Sequence, residues 1–190
     1  MKSTIIAAIA VLCLSCFAFA DQQEDAMMKA WMAYATPGDV HKTMANMAGT
    51  YDTTIKSYTG ADKPTEQKGT STFESVMDGR YMLEKAEGNF MGMPFHGMGI
   101  YGYDNGSKHY VSTWVDNMGT GIMNGTGSSD DGGKTINWVS KGFDPMSGKE
   151  QNYRSVMHMM SADQYHFEMY GPDPSGKEMK MMEITYDRKK

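Results

Sequence analysis

The sequence predicts an all-β protein, an up-and-down antiparallel β-barrel of about ten strands preceded by N-terminal helices. Two observations predict this fold. After Gly49, runs of about eight to twelve residues rich in Thr, Val, Tyr, Trp and Met alternate with clusters of Gly, Asp, Asn and Pro, a pattern typical of many short strands. The connections between the runs are short, and a meander of consecutive strands removes its exposed edges by closing on itself.

An export signal is predicted over residues 1–20. Lys2 precedes an apolar run, and Ala18-Phe19-Ala20 has the small-x-small pattern of a signal-peptidase site. The run is short for a membrane span, so we expect cleavage after Ala20 and an exported protein, periplasmic or extracellular. Both cysteines, Cys13 and Cys16, leave with the signal, and the mature chain then has neither a disulfide nor a thiolate ligand.

The expected mature chain, residues 21–190, has the length of one domain. Removal of Lys2 takes the basic residues from 18 to 17 against 23 acidic ones, which gives a net charge of −6. Because no basic run is present, nucleic acid and anionic lipid surfaces are poor partners. No later apolar stretch is long enough for a membrane span after cleavage, and the oligomeric state is not predicted.

The elements follow in order. The stretch "EDAMMKAWMAYA" has helical character, and "PGDVHKTMANMAG" predicts a second helix with Asp39 as its cap. Residues 21–48 therefore form a predicted helical segment, and residues 49–190 form the barrel domain. Strands are predicted near 49–59, 67–77, 80–90, 95–104, 107–117, 120–128, 134–142, 150–160, 163–171 and 177–187.

Turn residues separate these strands. Asn105-Gly106 accepts positive φ and predicts a tight hairpin, and the "DDGG" stretch at 130–133 predicts another. The stretches "DPMSGKE" from Asp144 and "DPSGKE" from Asp173 predict two further turns of shared chemistry.

A family resemblance adds to this fold. The stretch "GRYMLEKAEGNFMGMPFHGMGIYGYDNGSKHYVSTWVDNMGTG", Gly79 to Gly121, resembles the signature region of a bacterial family catalogued as domain of unknown function 1579, through its GYDN, W-x-D and MGTG elements. The segments "PGDVHKTMANMAGTY" and "FEMY…GKEMKMMEITYDRK" are similar to the two ends of that family. The resemblance implies a calycin-like barrel, similar in shape to lipocalins, and it implies no activity.

Methionine takes the place of leucine in this chain. The mature chain has 20 methionines but a single leucine, Leu83, with five isoleucines and six valines. We therefore interpret the methionines, those of "SVMHMM" at 155–160 included, as flexible core residues. The alternative is a Cu(I) or haem binding protein, since thioethers suit Cu(I). Its candidate ligands are Met91, Met93, His96, Met98, Met157, His158 and Met159.

A lined cavity is predicted along the strand at 107–117. Tyr110, Trp114 and Asp116 share one face of this strand. A carboxylate among aromatic side chains is natural for a cavity with polar anchors. The alternative is a structural ring in which Asp116 caps the following turn.

Two arginines complete the predicted site. Arg80 and Arg154 fall inside apolar strands, where a guanidinium needs a partner. We predict that they either anchor a ligand carboxylate or pair with Asp116 or Glu84.

Motifs for catalysis are sparse. "GMGIYG" at 97–102 satisfies the dinucleotide pattern only literally, because a hairpin rather than a helix follows it, and we expect no nucleotide site. His109 with Asp116 gives a hydrolase or isomerase hypothesis that rests on residue types alone. His158 and His166 flank the "SADQ" turn and are predicted to face each other as a cross-strand pair.

These observations favour an exported, lipocalin-like binding protein that holds a small apolar ligand, rather than an enzyme. Trp114 and Tyr110 would line the cavity, with Arg80 or Arg154 as the polar anchor. The sequence requires no cofactor. Metal or haem binding and a purely structural role in the envelope are the alternatives.

Overall fold

The computed structural model of the protein describes residues 22–59, 63–145 and 147–190. The predicted export signal lies outside the described residues. Residues 22–35 are helical (helix α1) and belong to a compact unit that ends at Thr36. The large apolar side chains of α1 are exposed, Trp31 among them. Among the described residues, no helix combines the length and the apolar character that a membrane span requires.

The second compact unit runs from Pro37 to Lys190 and contains helix α2, Asp39–Ala45. Helix α2 therefore belongs to the same compact unit as the barrel. The prediction from the sequence placed it with α1, in the segment 21–48. The buried His41 fixes α2 in place. Its Nδ1 accepts a hydrogen bond from the backbone N–H of Gly38 at 3.1 Å, and its Nε2 donates to the carbonyl oxygen of Tyr103 at 3.0 Å.

Ten strands follow, each within a few residues of its predicted position. Their bounds are β1 Gly49–Ser57, β2 Thr65–Val76, β3 Tyr81–Phe90, β4 Met93–Asp104, β5 His109–Asp116, β6 Met123–Ser128, β7 Thr135–Asp144, β8 Lys149–Met159, β9 Gln164–Pro172 and β10 Glu178–Arg188. Every strand pairs antiparallel with the next one in the chain, and β1 pairs with β10 to close the sheet. The predicted up-and-down barrel is confirmed.

The β4–β5 hairpin forms where it was predicted, but its turn differs from the prediction. Positive φ occurs at Lys108 (58°) and not at Asn105-Gly106. The carboxylate of Asp104 accepts hydrogen bonds from the backbone N–H groups of Gly106 at 2.8 Å and Ser107 at 3.1 Å. This side-chain cap supports a longer turn, which does not need the two-residue geometry.

The two Asp-Pro turns do share their chemistry, as predicted. Asp144 accepts a hydrogen bond from the backbone N–H of Ser147, and Asp173 accepts one from that of Ser175. A glycine with positive φ follows in each turn, Gly148 at 68° in the first and a counterpart at 87° in the second. The Gly132-Gly133 pair likewise takes positive φ in the β6–β7 turn.

One mouth of the barrel is closed by α2 and a cluster of aromatic side chains. Tyr51 is fully buried at its centre and packs against Phe73, Tyr165 and Tyr186, with ring centroids between 5.3 and 6.4 Å apart. The hydroxyl of Tyr51 donates a 2.8 Å hydrogen bond to the carbonyl oxygen of Met47, just beyond α2. The core therefore fills the α2 end of the barrel.

Candidate ligand site

A cavity of about 330 Å³ occupies the barrel interior beyond this core. Most of its wall is apolar. Among the described residues, eight methionines line it: Met44, Met47, Met82, Met123, Met157, Met159, Met169 and Met182. Aromatic rings line it too: Phe73, Tyr101, Tyr110, Trp114, Trp138, Phe167 and Tyr186. Five polar side chains complete the wall together with two isoleucines: Glu84, Ser112, Asp116, Ser140 and Ser155.

Strand alternation explains why these side chains point inward. Successive residues of a strand face opposite sides of a sheet, and cross-strand partners share a side. Around the middle of the barrel, Met82 pairs with Tyr101, Tyr101 with Ser112, Ser112 with Gly125, and Gly125 with Ser140. The small residues of this ring leave the space that larger side chains would fill.

Glycines on β4 make room for two of the aromatic rings. A Cβ at Gly97 would overlap the Trp114 ring, and a Cβ at Gly99 would lie 2.7 Å from the Tyr101 ring. The "GMGIYG" stretch therefore lies within a strand whose glycines accommodate neighbouring rings. This agrees with the expectation that it is not a dinucleotide motif.

The predicted face of β5 lies on the cavity wall. Tyr110, Trp114 and Asp116 all line the cavity, with Ser112 between them. The indole Nε1 of Trp114 donates a 2.9 Å hydrogen bond to Oδ2 of Asp116. The other oxygen, Oδ1, accepts a 2.9 Å hydrogen bond from the backbone N–H of Met118, so this carboxylate caps the turn and orients the indole.

Glu84 is the buried polar group of the cavity. Its residue is 3% exposed, and the hydrogen-bond donors to its carboxyl in the described part of the chain are hydroxyl groups. The Oγ of Ser71 donates to Oε1 at 2.6 Å, and the hydroxyl of Tyr101 donates to Oε2 at 2.7 Å. A third hydrogen bond links it to Tyr186. Desolvation outweighs these bonds and raises the pKa of the Glu84 carboxyl above its ordinary value.

Burial also changes the pKa values of the two tyrosines that contact Glu84. Desolvation first, and the nearby Glu84 carboxyl second, raise the pKa values of Tyr101 and Tyr186 well above the ordinary value. Both phenols therefore stay protonated at neutral pH and remain hydrogen-bond donors. Among the described lining residues, this is the one part of the cavity wall where a carboxyl group, that of Glu84, accepts hydrogen bonds from several hydroxyl groups.

Sequence reasoning did not assign Glu84 to the cavity and named it only as a partner for an arginine. The alternation of side chains along β3 could have identified it. Glu84 faces the same side of the strand as the apolar Met82 and Ala86, whereas Lys85 and Glu87 face the exposed side. A carboxylate in an inward phase indicates a buried polar group that needs hydrogen-bond partners.

The predicted arginine anchors lie outside the cavity, and their partners differ from those predicted. Within the described part of the chain, neither arginine belongs to the cavity wall. Arg80 lies in the β2–β3 turn, donates to the carbonyl oxygen of Met77 at 3.2 Å and lies 3.6 Å from Asp78. Arg154 faces outward on β8 and binds both carboxylate oxygens of Glu178 at 3.0 and 2.9 Å.

The residues predicted for a metal site do not converge. Met91 lies in the β3–β4 turn with a φ of 53° and is 77% exposed. Met157 and Met159 line the cavity, whereas His158 between them lies on the opposite face of β8. The remaining members, Met93, His96 and Met98, lie in β4.

No described histidine lines the cavity, so the structure offers no axial histidine for haem there. His158 and His166 do pair across β8 and β9, as predicted, and this pair lies on the outer face. His109 begins β5 and Asp116 ends it, which separates them by about 23 Å at 3.3 Å per residue. That separation contradicts the hypothesis that they form a catalytic pair.

A different group on the outer face has atoms of the type that bind metals. His166, Glu168 and Glu183 each offer one ligand atom, and these atoms lie within 4.8 Å of one another. Lys180 already forms ion pairs with both carboxylates. The lysine lowers the pKa of Glu168, and its own pKa is raised in return. An ammonium group therefore takes the position that a cation would need.

The closed meander with an internal cavity defines a ten-stranded, up-and-down antiparallel β-barrel protein. The family described as "Protein of unknown function (DUF1579)" matches residues 36–188, and the chain belongs to this family. No curated protein matches.

Among solved structures, the crystal structure of Rv2717c from M. tuberculosis is similar, with a TM-score of 0.59 and 14% identity over 82% of this chain and 100% of that chain. A redesigned β-barrel matches with a TM-score of 0.40 and 16% identity over 76% of this chain and 93% of that one. The likeness to Rv2717c shows the fold alone.

Proposed function

We propose that this protein is an exported, non-enzymatic binding protein that holds one small, largely apolar molecule inside its barrel. The observation that carries the proposal is the cavity of about 330 Å³ lined by methionines and aromatic rings. Its size lies at the lower end of the range of small-molecule sites, and a mostly apolar wall with a few polar groups is typical of such sites. Small closed barrels of similar architecture hold single ligands.

The methionines suit this role. A thioether side chain is unbranched, polarisable and flexible, so that a wall built from it adapts to the outline of a bound molecule. The interpretation of the methionines as core residues therefore applies to the cavity wall as well. Met44, Met82 and Met157 belong to the packed core and also line the cavity.

A matched pair of variants on β7 tests the proposal. Ser140 lies on the cavity wall, and its neighbour Val139 lies on the outer face and is 60% exposed. Ser140→Phe places a ring in the cavity, and Val139→Phe places the same ring in solvent. A fluorescence titration with the neutral apolar dye Nile red should give saturable binding at one site per chain.

We expect Ser140→Phe to weaken dye binding at least tenfold, and Val139→Phe to leave it within twofold. Circular dichroism checks that both variants keep their strand content. Equal dye affinity in the two variants would place the dye outside the barrel and contradict the proposal.

Export is supported by the pattern of residues 1–20. Intact-mass measurement of the protein from the envelope and culture fractions tests it. Export predicts a chain that begins at Asp21, and a cytoplasmic chain that retains Met1 to Ala20 would contradict it.

A further inference from the structure

We propose that the ligand is an organic cation, a molecule with an apolar and preferably aromatic body that carries one amino group, and that Glu84 is the anionic partner of that group. The inference rests on the proposed function and names the class of molecule that the same cavity takes. The charges of the cavity wall, the surroundings of Glu84 and the nature of its neighbours support it.

The cavity wall carries acidic groups without basic ones. Among its described lining residues are the carboxyls of Glu84 and Asp116, and none is a lysine, arginine or histidine. Sites that bind carboxylate ligands need a cation or several N–H donors aimed at the anion. A fatty acid or another carboxylate would instead meet two carboxyl groups in a medium of low dielectric constant, which is unfavourable. The wall therefore disfavours anionic ligands.

Glu84 has polar partners but no counter-charge. None of the ion pairs in the described part of the chain includes it, although its residue is 3% exposed. Its hydrogen bonds come from Ser71 on β2, Tyr101 on β4 and Tyr186 on β10. A buried carboxylate ordinarily has a cationic partner. A ligand ammonium group would supply the partner that the protein omits.

The neighbours of Glu84 also suit a cation. Phe73 is its direct cross-strand partner, and Tyr101 and Trp138 lie beyond with ring centroids 6.1 Å apart. Aromatic faces attract an ammonium group, and this attraction is strengthened where water is excluded. The negative net charge of the whole chain, −5 including residues 1–20, attracts cations at longer range.

Binding of an ammonium group should lower the pKa of the Glu84 carboxyl. Burial raises the pKa of Glu84 in the empty cavity above its ordinary value, because desolvation disfavours the charged form. A cation in contact favours the ionised form and lowers that pKa. The other ionisable groups on the cavity wall are Tyr101, Tyr186 and Tyr110, whose pKa values are raised, and Asp116, which binds Trp114.

Three compounds share a naphthalene ring and differ in the charge of their substituent: 1-naphthylmethylamine, 1-naphthylmethanol and 1-naphthoate. Their affinities therefore show the effect of charge at nearly constant shape. Isothermal titration calorimetry at neutral pH measures their affinities for the purified protein. We expect the amine to bind at least tenfold more tightly than the alcohol, and the acid to bind most weakly.

Glu84→Gln and Glu87→Gln form the matched pair, because Glu87 lies on the same strand with its side chain exposed. Glu84→Gln should reduce the affinity for the amine to that for the alcohol, and Glu87→Gln should change neither. If Glu84→Gln does not fold, the order of affinities of the three compounds for the unsubstituted protein decides.

The outcomes separate the two proposals. Alcohol affinity equal to or greater than amine affinity would overturn the cation inference and leave the cavity function standing. Failure of all three compounds and of Nile red to bind would overturn the proposed function itself.

Discussion

The hydroxyl of Tyr101 reaches back over Gly99 and donates a 2.7 Å hydrogen bond to Glu84, the residue that pairs with Gly99 across β3 and β4. This contact joins a glycine, a ring and a buried carboxyl into one wall of the cavity. It depends on the absence of a side chain at Gly99, because the ring occupies the space that a Cβ would take.

Gly99→Ala should therefore displace the Tyr101 hydroxyl from Glu84. The ring must shift, and loss of one donor to a buried carboxyl costs about 1–3 kcal/mol. Urea unfolding followed by tryptophan fluorescence measures this change in the free energy of unfolding. Gly121→Ala is the control, since its Cβ would meet nothing within 4 Å. Equal stability of the two variants would mean that the ring does not depend on the glycine.

Glu84→Gln should change the pH dependence of stability. Burial raises the pKa of the Glu84 carboxyl from its ordinary value of 4.5, so the folded protein holds this proton more tightly than the unfolded chain does. The stability that this adds is fully present below pH 4.5, and it is lost as the pH rises through the raised native pKa.

Glutamine has no such proton to lose, so Glu84→Gln should gain stability relative to the unsubstituted protein as the pH rises from 4.5 through the raised native pKa of Glu84. Denaturant unfolding at several pH values measures the difference in the free energy of unfolding. The ion-paired acidic residues are the same in both proteins, so their contributions cancel in this difference. A difference that stays constant with pH would show that Glu84 titrates normally.

Arg188 should contribute more to stability than the outward-facing Arg154. Its guanidinium donates to the carbonyl oxygens of Asn46 and Ala162 at 2.9 and 3.2 Å and lies 4.7 Å from the centre of the Tyr51 ring. An ammonium group cannot reproduce this fork, so Arg188→Lys should cost about 2 kcal/mol. Arg154→Lys also loses a two-pronged contact, with Glu178, but both side chains of that ion pair are exposed, so this change should cost less than about 1 kcal/mol. Urea unfolding of both variants tests the order, and the reverse order would contradict it.

Ligand affinity should depend on Trp114 and not on Arg80. Trp114 lines the cavity, and its indole is oriented by Asp116. Trp114→Ala removes a large part of the apolar wall, so Nile red affinity should fall at least tenfold, which corresponds to about 1.4 kcal/mol or more. Arg80→Ala, in the β2–β3 turn, should leave it within twofold. Unchanged affinity in the Trp114 variant would show that β5 does not form the site.

The strands and most turns could be predicted because local chemistry determines them. Alternation along β5 placed Tyr110, Trp114 and Asp116 on one face, and the structure puts all three on the cavity wall. The same rule separates His158 from Met157, which the metal hypothesis had combined. Local patterns were sufficient wherever a single strand carried the information.

The arginines could not be assigned in this way. The partner of Arg154 is Glu178, at the start of β10, and the two are 24 positions apart in the sequence. Pairing of this kind depends on the register of β8, β9 and β10 together, which a single sequence leaves open. Glu84 was missed because its three hydroxyl partners come from three different strands. Closure of the barrel creates that cluster.

Native mass spectrometry of the protein purified from its own exported fraction, without chelators, tests the central claim most directly. We predict one small organic molecule per chain, with a mass and fragmentation that indicate an amine, and its loss in Ser140→Phe but not in Val139→Phe. A copper or haem mass, a chain that carries no molecule, or an adduct that Ser140→Phe retains would contradict a ligand held in the barrel.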